Sequence, residues 1–190
     1  YESIMEVHAV AGDNYLGGED FTNVVQQLFL QKNSLTWDEL ALPEQFALHR
    51  QAELCKLALS DGLMAVMVCT LNGQERSAAI TLGEYEQACR PLLARLQKPV
   101  ERSLKDADLT PADLSGVVLV GGASKSPLVR AFCQKLLGMV PFTGVDSDEA
   151  IALGAALEAA MKERNAAVRE VILTDVCPFT LGTEVSAFNG

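Results

Sequence analysis

One stretch constrains the fold more than any other: Val117-Val118-Leu119-Val120, then Gly121-Gly122, then Ala123-Ser124-Lys125-Ser126, then Pro127. A short, continuously apolar run rich in β-branched residues predicts a strand buried on both faces. Paired glycines after it let a backbone approach a ligand with no Cβ in the way. Pro127 suits the first turn of a helix, where its missing N–H costs nothing. Strand, glycine turn and helix start form a layout that can hold a nucleotide at the helix N-terminus. The same spacing also fits a tight turn in an α/β domain that binds nothing, and the stretch alone does not choose between the two.

The rest of the chain narrows the choice. Its 190 residues allow one domain or two small ones. A formal net charge of -10 argues against nucleic acid and against anionic membrane surfaces, which call for basic patches. A phosphate site is local and escapes that argument. Cys55, Cys69, Cys89, Cys133 and Cys177 are widely spaced and form no CxxC pair, so reduced and mostly buried thiols in a cytoplasmic protein are expected. His8 and His49 lie far from any cysteine pair, which argues against zinc. No apolar run has membrane-spanning length. Tyr1 and Gly190 both abut apolar runs, so both ends read as cuts in a longer protein.

Taken in order, Ile4 to Ala11 alternates like a strand. A second glycine pair, Gly17-Gly18, leads into Phe21, Val24, Val25, Leu28 and Phe29, one face of a helix. Glu19 and Asp20 sit in its first turn, where the helix dipole favours acids. A helical stretch from Trp37 to Leu59, interrupted near Pro43, carries Glu53, Lys56 and Ser60 on one side. A surface ion pair accounts for the first two on periodicity alone. Leu63 to Leu71 and Glu75 to Leu82 are strand-like and joined by Asn72-Gly73, a strong hairpin signal. Helices are expected on either side of Pro99, over 83–97 and 100–107. A further helix runs from Pro127 to Leu137, with Leu128, Val129, Phe132 and Leu136 inward and Gly138 as its C-terminal cap. Asp146 to Glu149 precede an alanine-rich helix whose small residues would allow close packing. Val171 to Val176 is a last apolar run. The order reads as an α/β layer interrupted by an α+β insertion.

Four motifs in this order carry a resemblance. They are Gly12-Asp13 with Leu16-Gly17-Gly18-Glu19-Asp20-Phe21, then Val120-Gly121-Gly122-Ala123-Ser124-Lys125 with Pro127, then Asp148-Glu149-Ala150 with Ala152 and Gly154-Ala155-Ala156, then Val171 to Val176 with Pro178 and Leu181-Gly182. Together they resemble the DnaK-type, seventy-kilodalton heat-shock chaperones over the whole chain, and the C-terminal stretch is most similar to the HscC-type branch. The resemblance implies an actin-like ATPase fold of ribonuclease H-like topology, of which this chain looks like the second lobe. Residues 1–16 and 95–170 would form its base, 17–94 an inserted α+β upper subdomain, and 171–190 the interdomain linker with the first strand of a peptide-binding domain.

The resemblance also assigns roles. Glu53 and Lys56 would border adenine and ribose, and Ser60 the base edge. Gly121 and Gly122, with Ala123 and Ser124 in the same turn, would run against the nucleotide. Lys125 stands where the family usually has an arginine against the adenine face, and Ala123 replaces a usual serine. Asp148 would lie near the nucleoside, and Gly17 and Gly18 near the phosphates at a hinge. The implied cofactor is ATP or ADP, with Mg²⁺ and K⁺ in the full-length parent. The implied partners are a nucleotide-exchange factor and a J-domain co-chaperone. The family's phosphate loops and catalytic lysine would lie upstream of Tyr1, so this chain would carry half of an ATP site and no catalytic residue. Two alternatives stand beside this reading: a protein-interaction module docking an exchange factor, and another actin-like superfamily kinase.

Overall fold

A computed structural model describes residues 4–142, 144, 146–163 and 171–177. Its elements are strand β1 (Ile4–Glu6), helix α1 (Gly18–Lys32), helix α2 (Leu42–Asp61), strands β2 (Met64–Leu71) and β3 (Gln74–Thr81), helix α3 (Leu82–Asp106), helix α4 (Pro127–Leu137), helix α5 (Ala150–Lys162) and strand β4 (Ile172–Thr174). Single turns of 3-10 helix occur at Trp37–Glu39, Pro111–Asp113 and Gly122–Lys125. The architecture is mixed α/β, with two two-stranded sheets among the described residues.

The hairpin forms as its turn residues dictate. β2 and β3 pair antiparallel from Met64↔Thr81 to Leu71↔Gln74. Asn72 and Gly73 both take positive φ, 52° and 70°, the requirement of a tight hairpin turn. Alternation then puts Ala65, Met67, Cys69 and Leu71 on one face, where α1 and α2 cover them. α1 contributes Phe21, Val25 and Phe29, and α2 contributes Leu48, Ala52, Cys55 and Leu59, each set at helical spacing. Each fully buried Leu or Phe side chain in such a core stabilises the fold by roughly 1.5–3 kcal/mol. The Glu44 carboxylate accepts from the Ala41 N–H (3.0 Å), capping α2, and from the Asn72 N–H (2.6 Å), so one side chain joins the helix start to the hairpin turn.

α3 leaves the hairpin through a capping box. The Thr81 hydroxyl accepts from the Glu84 N–H (3.3 Å), and Glu84 accepts from the Thr81 N–H (2.9 Å). The helix then runs unbroken through Pro91 and Pro99, where two helices were expected. Each proline removes one N–H from the ladder. The turns between them are held by Leu92, Leu93 and Leu96 packed on the core, so the chain has a reason to stay helical. Two further expectations shift by a few residues. The Trp37–Leu59 stretch divides into a 3-10 turn and α2, with Pro43 inside the first turn of α2. The strand expected over Ile4 to Ala11 is confined to Ile4–Glu6.

The opening stretch does not form its strand. Val118 makes one isolated parallel bridge to Phe142, and Val118 and Val120 are 55% and 43% exposed. A parallel strand is stable only with neighbours on its flanks and cover on its faces. The described residues supply one bridge. Past the turn α4 starts at Pro127 and ends at Gly138 (φ 72°, left-handed region) as expected, but its buried stripe is Val129, Cys133 and Leu137. Of the residues expected inward, Leu128, Phe132 and Leu136 are only half-buried, because the face turned to the core is rotated by about one residue. α5 starts after the acids as expected, but it buries no residue, so its small side chains meet no close partner among the described residues. β4 pairs in parallel with β1, Ile4↔Ile172 to Glu6↔Thr174. The first strand expected beyond the linker falls at 178–190, outside the described residues. Cys55, Cys69, Cys89 and Cys133 are buried, and burial raises the Cys89 thiol to about 11.

Candidate functional site

A cavity of about 620 Å³ lies between α2, the N-terminus of α1 and the glycine turn before α4. Gly18, Glu53, Lys56 and Ser60 line one wall, and Gly122, Ala123 and Lys125 the other. Residues that periodicity left on separate elements therefore face one space. Glu19, Phe21, Leu57, Asp61, Tyr85, Ser126 and Val129 complete the lining. Sequence gave little sign of most of these: Phe21 and Val129 read as core positions, Tyr85 as one more residue of a helix. Their part in the site depends on how α1, α3 and α4 converge.

The wall on α2 is more than a surface ion pair. Lys56 Nζ donates to Glu53 (2.6 Å), to the Thr22 hydroxyl (2.9 Å) and to the Gly18 carbonyl (3.2 Å). Thr22 is fully buried and its Oγ1 lies 2.5 Å from Glu53 Oε2. Lys56 is three-quarters or more enclosed, its side chain only 17% exposed. Burial pushes the Glu53 carboxyl up, but hydrogen bonds from Lys56 and Thr22 and the nearby charges of Lys56 and His49 outweigh it, and the net shift is down. Glu53 therefore stays charged at neutral pH, and the Lys56 ammonium is held in place by three acceptors. Ser60 sits one turn further on, its hydroxyl donating to the Lys56 carbonyl (3.4 Å).

The opposite wall is backbone and one cation. Gly121 has φ 86° and ψ 156°, a conformation open essentially to glycine alone. Its N–H donates to the Ser147 carbonyl (2.7 Å), which fixes the turn against the loop before α5. A Cβ added at Gly122 would meet nothing within 4 Å, so this glycine leaves open space on the cavity side. Ser124 is buried and its hydroxyl donates to the Gly121 carbonyl (2.7 Å); it shapes the turn and does not line the cavity. Lys125 is paired with Asp148, whose hydrogen bond raises the lysine's pKa. Asp148 thus belongs to the site through Lys125. Gly17 is the residue before α1, its N–H held by Asp20 (2.8 Å), and it too stands behind the lining.

The two walls touch where α1 begins. A Cβ on Gly18 would lie 3.9 Å from Ala123 Cβ and 3.8 Å from Lys56 Nζ. The loop feeding α1 is fixed by a contact that sequence reading did not identify. Arg95 of α3 donates to Asp13 Oδ2 from Nε (3.1 Å) and Nη2 (2.8 Å), and to the Tyr15 carbonyl (2.9 Å). The Arg95 hydrogen bond, with one from the Tyr15 N–H, holds the Asp13 carboxyl below its usual range. Eighty-two residues separate the pair in sequence, so no local pattern marks it.

Chemically, the lining offers two cations, Lys56 and Lys125, three carboxylates, Glu19, Glu53 and Asp61, and an open glycine backbone around a space with apolar sides. Such a set suits a ligand with an apolar face and hydroxyls to exchange hydrogen bonds with charged side chains. The family model described as "Hsp70 protein" matches residues 2–188. The chain is 33% identical to the chaperone protein DnaK of Deinococcus deserti, over 97% of this chain and 31% of that protein. It is 35% identical to DnaK of Thermus thermophilus, over 96% and 31%. It is 37% identical to the HscA homolog of Bordetella pertussis, over 96% and 30%. The chain thus spans about three-tenths of the length of the curated relatives it matches.

Proposed function

From the premise that this chain belongs to the Hsp70 family, with its actin-like ATPase fold, we propose that it supplies the nucleoside-binding side of the ATP cleft in an ATP-dependent molecular chaperone. The observation that carries this reading is the shared cavity, in which Glu53, Lys56 and Ser60 face the Gly122–Lys125 turn. Adenine would lie between Leu57 and Lys125, with the Lys125 ammonium giving a cation–π contact but not the planar stacking of a guanidinium. Glu53 and Lys56 would take the ribose hydroxyls, one accepting and one donating. Gly18 and Gly122 would let the phosphate-bearing side pass close to backbone. The open space at Gly122 and the three-point hold on Lys56 fit such a ligand. ATP brings the γ-phosphate, and its hydrolysis with Mg²⁺ and K⁺ belongs to parts of the parent other than these residues.

In the parent, the chain would be the second lobe of the ATPase domain, with 1–16 and 95–170 as base and 17–94 as upper subdomain. β4, three residues long and exposed on Ile172 and Leu173, would be the linker that docks or leaves as the lobes close. A J-domain co-chaperone and a cytoplasmic setting belong to the same reading; among the described residues no helix is long and apolar enough to cross a membrane. A second role as a docking surface for an exchange factor is favoured by one observation. The outer face of the hairpin carries Met64, Val66 and Val68 at 56%, 63% and 43% exposure, an apolar patch on a solvated sheet. The kinase alternative is set aside by the family match along residues 2–188.

Adenosine and ADP titrated onto ¹⁵N-labelled chain test the reading. Amide shifts should be confined to Gly18, Lys56, Ser60, Gly122 and Lys125, with weak affinity because the phosphate side would be shared with the parent's other lobe. Shifts centred elsewhere, or guanosine acting as well as adenosine, would refute it.

A further inference from the structure

Below the cavity, α1 and α2 meet along a polar seam that the nucleoside reading does not use. Glu19, Asn23 and Gln26 lie along α1 at spacings of four and three, and His49 faces them from α2. His49 Nε2 lies 3.1 Å from the Glu19 carboxylate. Its Nδ1 lies 3.1 Å from Gln26 Nε2, which also donates to Asn23 Oδ1 (2.6 Å). Gln26 is 2% exposed, and its Oε1 is buried with no hydrogen-bond partner. A buried acceptor without a donor is uncommon and calls for a reason.

The chemistry of the neighbours supplies one. A carboxylate only accepts, so the neutral ring must place its proton on Nε2 to serve Glu19. Nδ1 then presents a lone pair, and Gln26 must present N–H to it. Both amide hydrogens are thereby used, on His49 and Asn23, and Oε1 is left over. Protonating the ring reverses the demand, because Nδ1–H would then oppose Gln26 N–H. A half-turn of the amide brings Oε1 to Nδ1–H in a charge-assisted hydrogen bond. Asn23 is exposed and free to turn its own amide to match.

We propose that His49 and Gln26 form a proton-operated latch between α1 and α2. The neutral ring is read as the Nε2–H tautomer by Gln26 Nε2, and protonation turns the Gln26 amide over so that Oε1 takes the ring proton. The charged groups facing the ring are Glu19 from α1 and Glu53 from α2, with Lys56 beyond Glu53. Glu53 stands one turn along α2 and forms part of the cavity wall, so the latch state reaches the site whatever that cavity binds.

The test is NMR of the chain labelled with ¹⁵N-histidine and ¹⁵N-glutamine, followed through the pH range where imidazoles titrate. With two histidines in the sequence, a His8→Asn variant assigns the ring signals. Above the transition His49 should be the Nε2–H tautomer, with an NOE from the Gln26 amide protons to the ring Hε1. Through the transition, the Gln26 amide pair should shift with the midpoint of the His49 ring while the NOE disappears, and His49→Phe should abolish that shift. A neutral ring protonated on Nδ1, or an NOE that persists through the transition, overturns the proposal. Both readouts come from the unaltered side chains, so the test stands even if His49→Phe does not fold.

Discussion

The helices packed on the hairpin and the segments around β1, Val118 and α5 treat apolar residues differently. Around the hairpin, Val25, Phe29, Leu48, Leu71 and Ile80 are fully enclosed. Ile4, Met5, Val118, Phe142, Ile151 and Leu153, by contrast, are all more than half exposed. The difference lies in how far each element must reach for its partner. β2 and β3 are joined by two residues, and α1 and α2 fold back onto them directly. β1 finds β4 across more than 160 residues, and three pairs are all they share. Local contacts form at a small loop-closure cost, whereas parallel strands need long crossovers and several neighbours. A core can therefore close around the hairpin, joined by Val129 and Cys133 of α4, while β1, Val118 and α5 keep apolar side chains open.

The sharpest way to break that contrast is truncation in each region. Phe29→Ala should cost about 3–5 kcal/mol in urea unfolding, the usual loss for a buried aromatic. Leu153→Ala, 60% exposed, should move stability by less than about 0.5 kcal/mol. Equal losses would mean that α5 packs into a core of its own in solution.

The glycine turn lies at the border of the two regions and separates fold from ligand. Gly121→Ala forces a side chain into a conformation reserved for glycine and should cost about 1–3 kcal/mol. Gly122→Ala meets open space and should leave the melting curve unchanged while reducing adenosine binding, read by the same amide titration. If both variants lose stability, Gly122 is structural as well.

Next comes the α3 capping box, within the closed region. Thr81→Ala should cost about 1 kcal/mol. Glu84 is held at about 2 by hydrogen bonds from Lys32 first and then from Thr81. Its folded pKa lies below the unfolded one, so its contribution is present above the ordinary carboxylate range and lost as pH falls through about 2. Glu84→Gln should flatten the acid limb of the stability curve between those values, measured by thermal melts against pH; an unchanged limb would count against the pair.

The smallest effect is expected at β4. Thr174 is exposed in this chain, so Thr174→Leu should alter its stability by less than about 0.5 kcal/mol. In the full-length parent, if docking buries the position, the same change should strengthen ATP-dependent hydrogen-exchange protection over 171–176 by about 1–2 kcal/mol. Protection that does not change there would argue that the side chain stays in water.

Much of the fold was legible in the sequence because its signals are local. Asn72-Gly73 marks a hairpin, period-3.6 stripes mark α1, α2 and α4, and Gly138 marks a helix end, each through backbone sterics within a few residues. The unbroken α3 was not legible, since Pro99 reads as a stop and only packing of Leu92, Leu93 and Leu96 overrides it. The strand at Val117–Val120 failed for the opposite reason. Its residues suit a buried strand, but a strand is a relation between segments, and one bridge does not complete it.

The site divides the same way. The sequence by itself determined which residue types were available: two glycine pairs, a Glu–Lys–Ser helix face, a lysine after the turn. Tertiary structure decided that Gly18 meets Ala123, that Thr22 locks Glu53 and Lys56, that Arg95 clamps Asp13, and that Gln26 and Glu19 hold His49 from both sides. Those contacts join residues 23 to 105 positions apart, and their energies depend on distance and burial that no local pattern encodes.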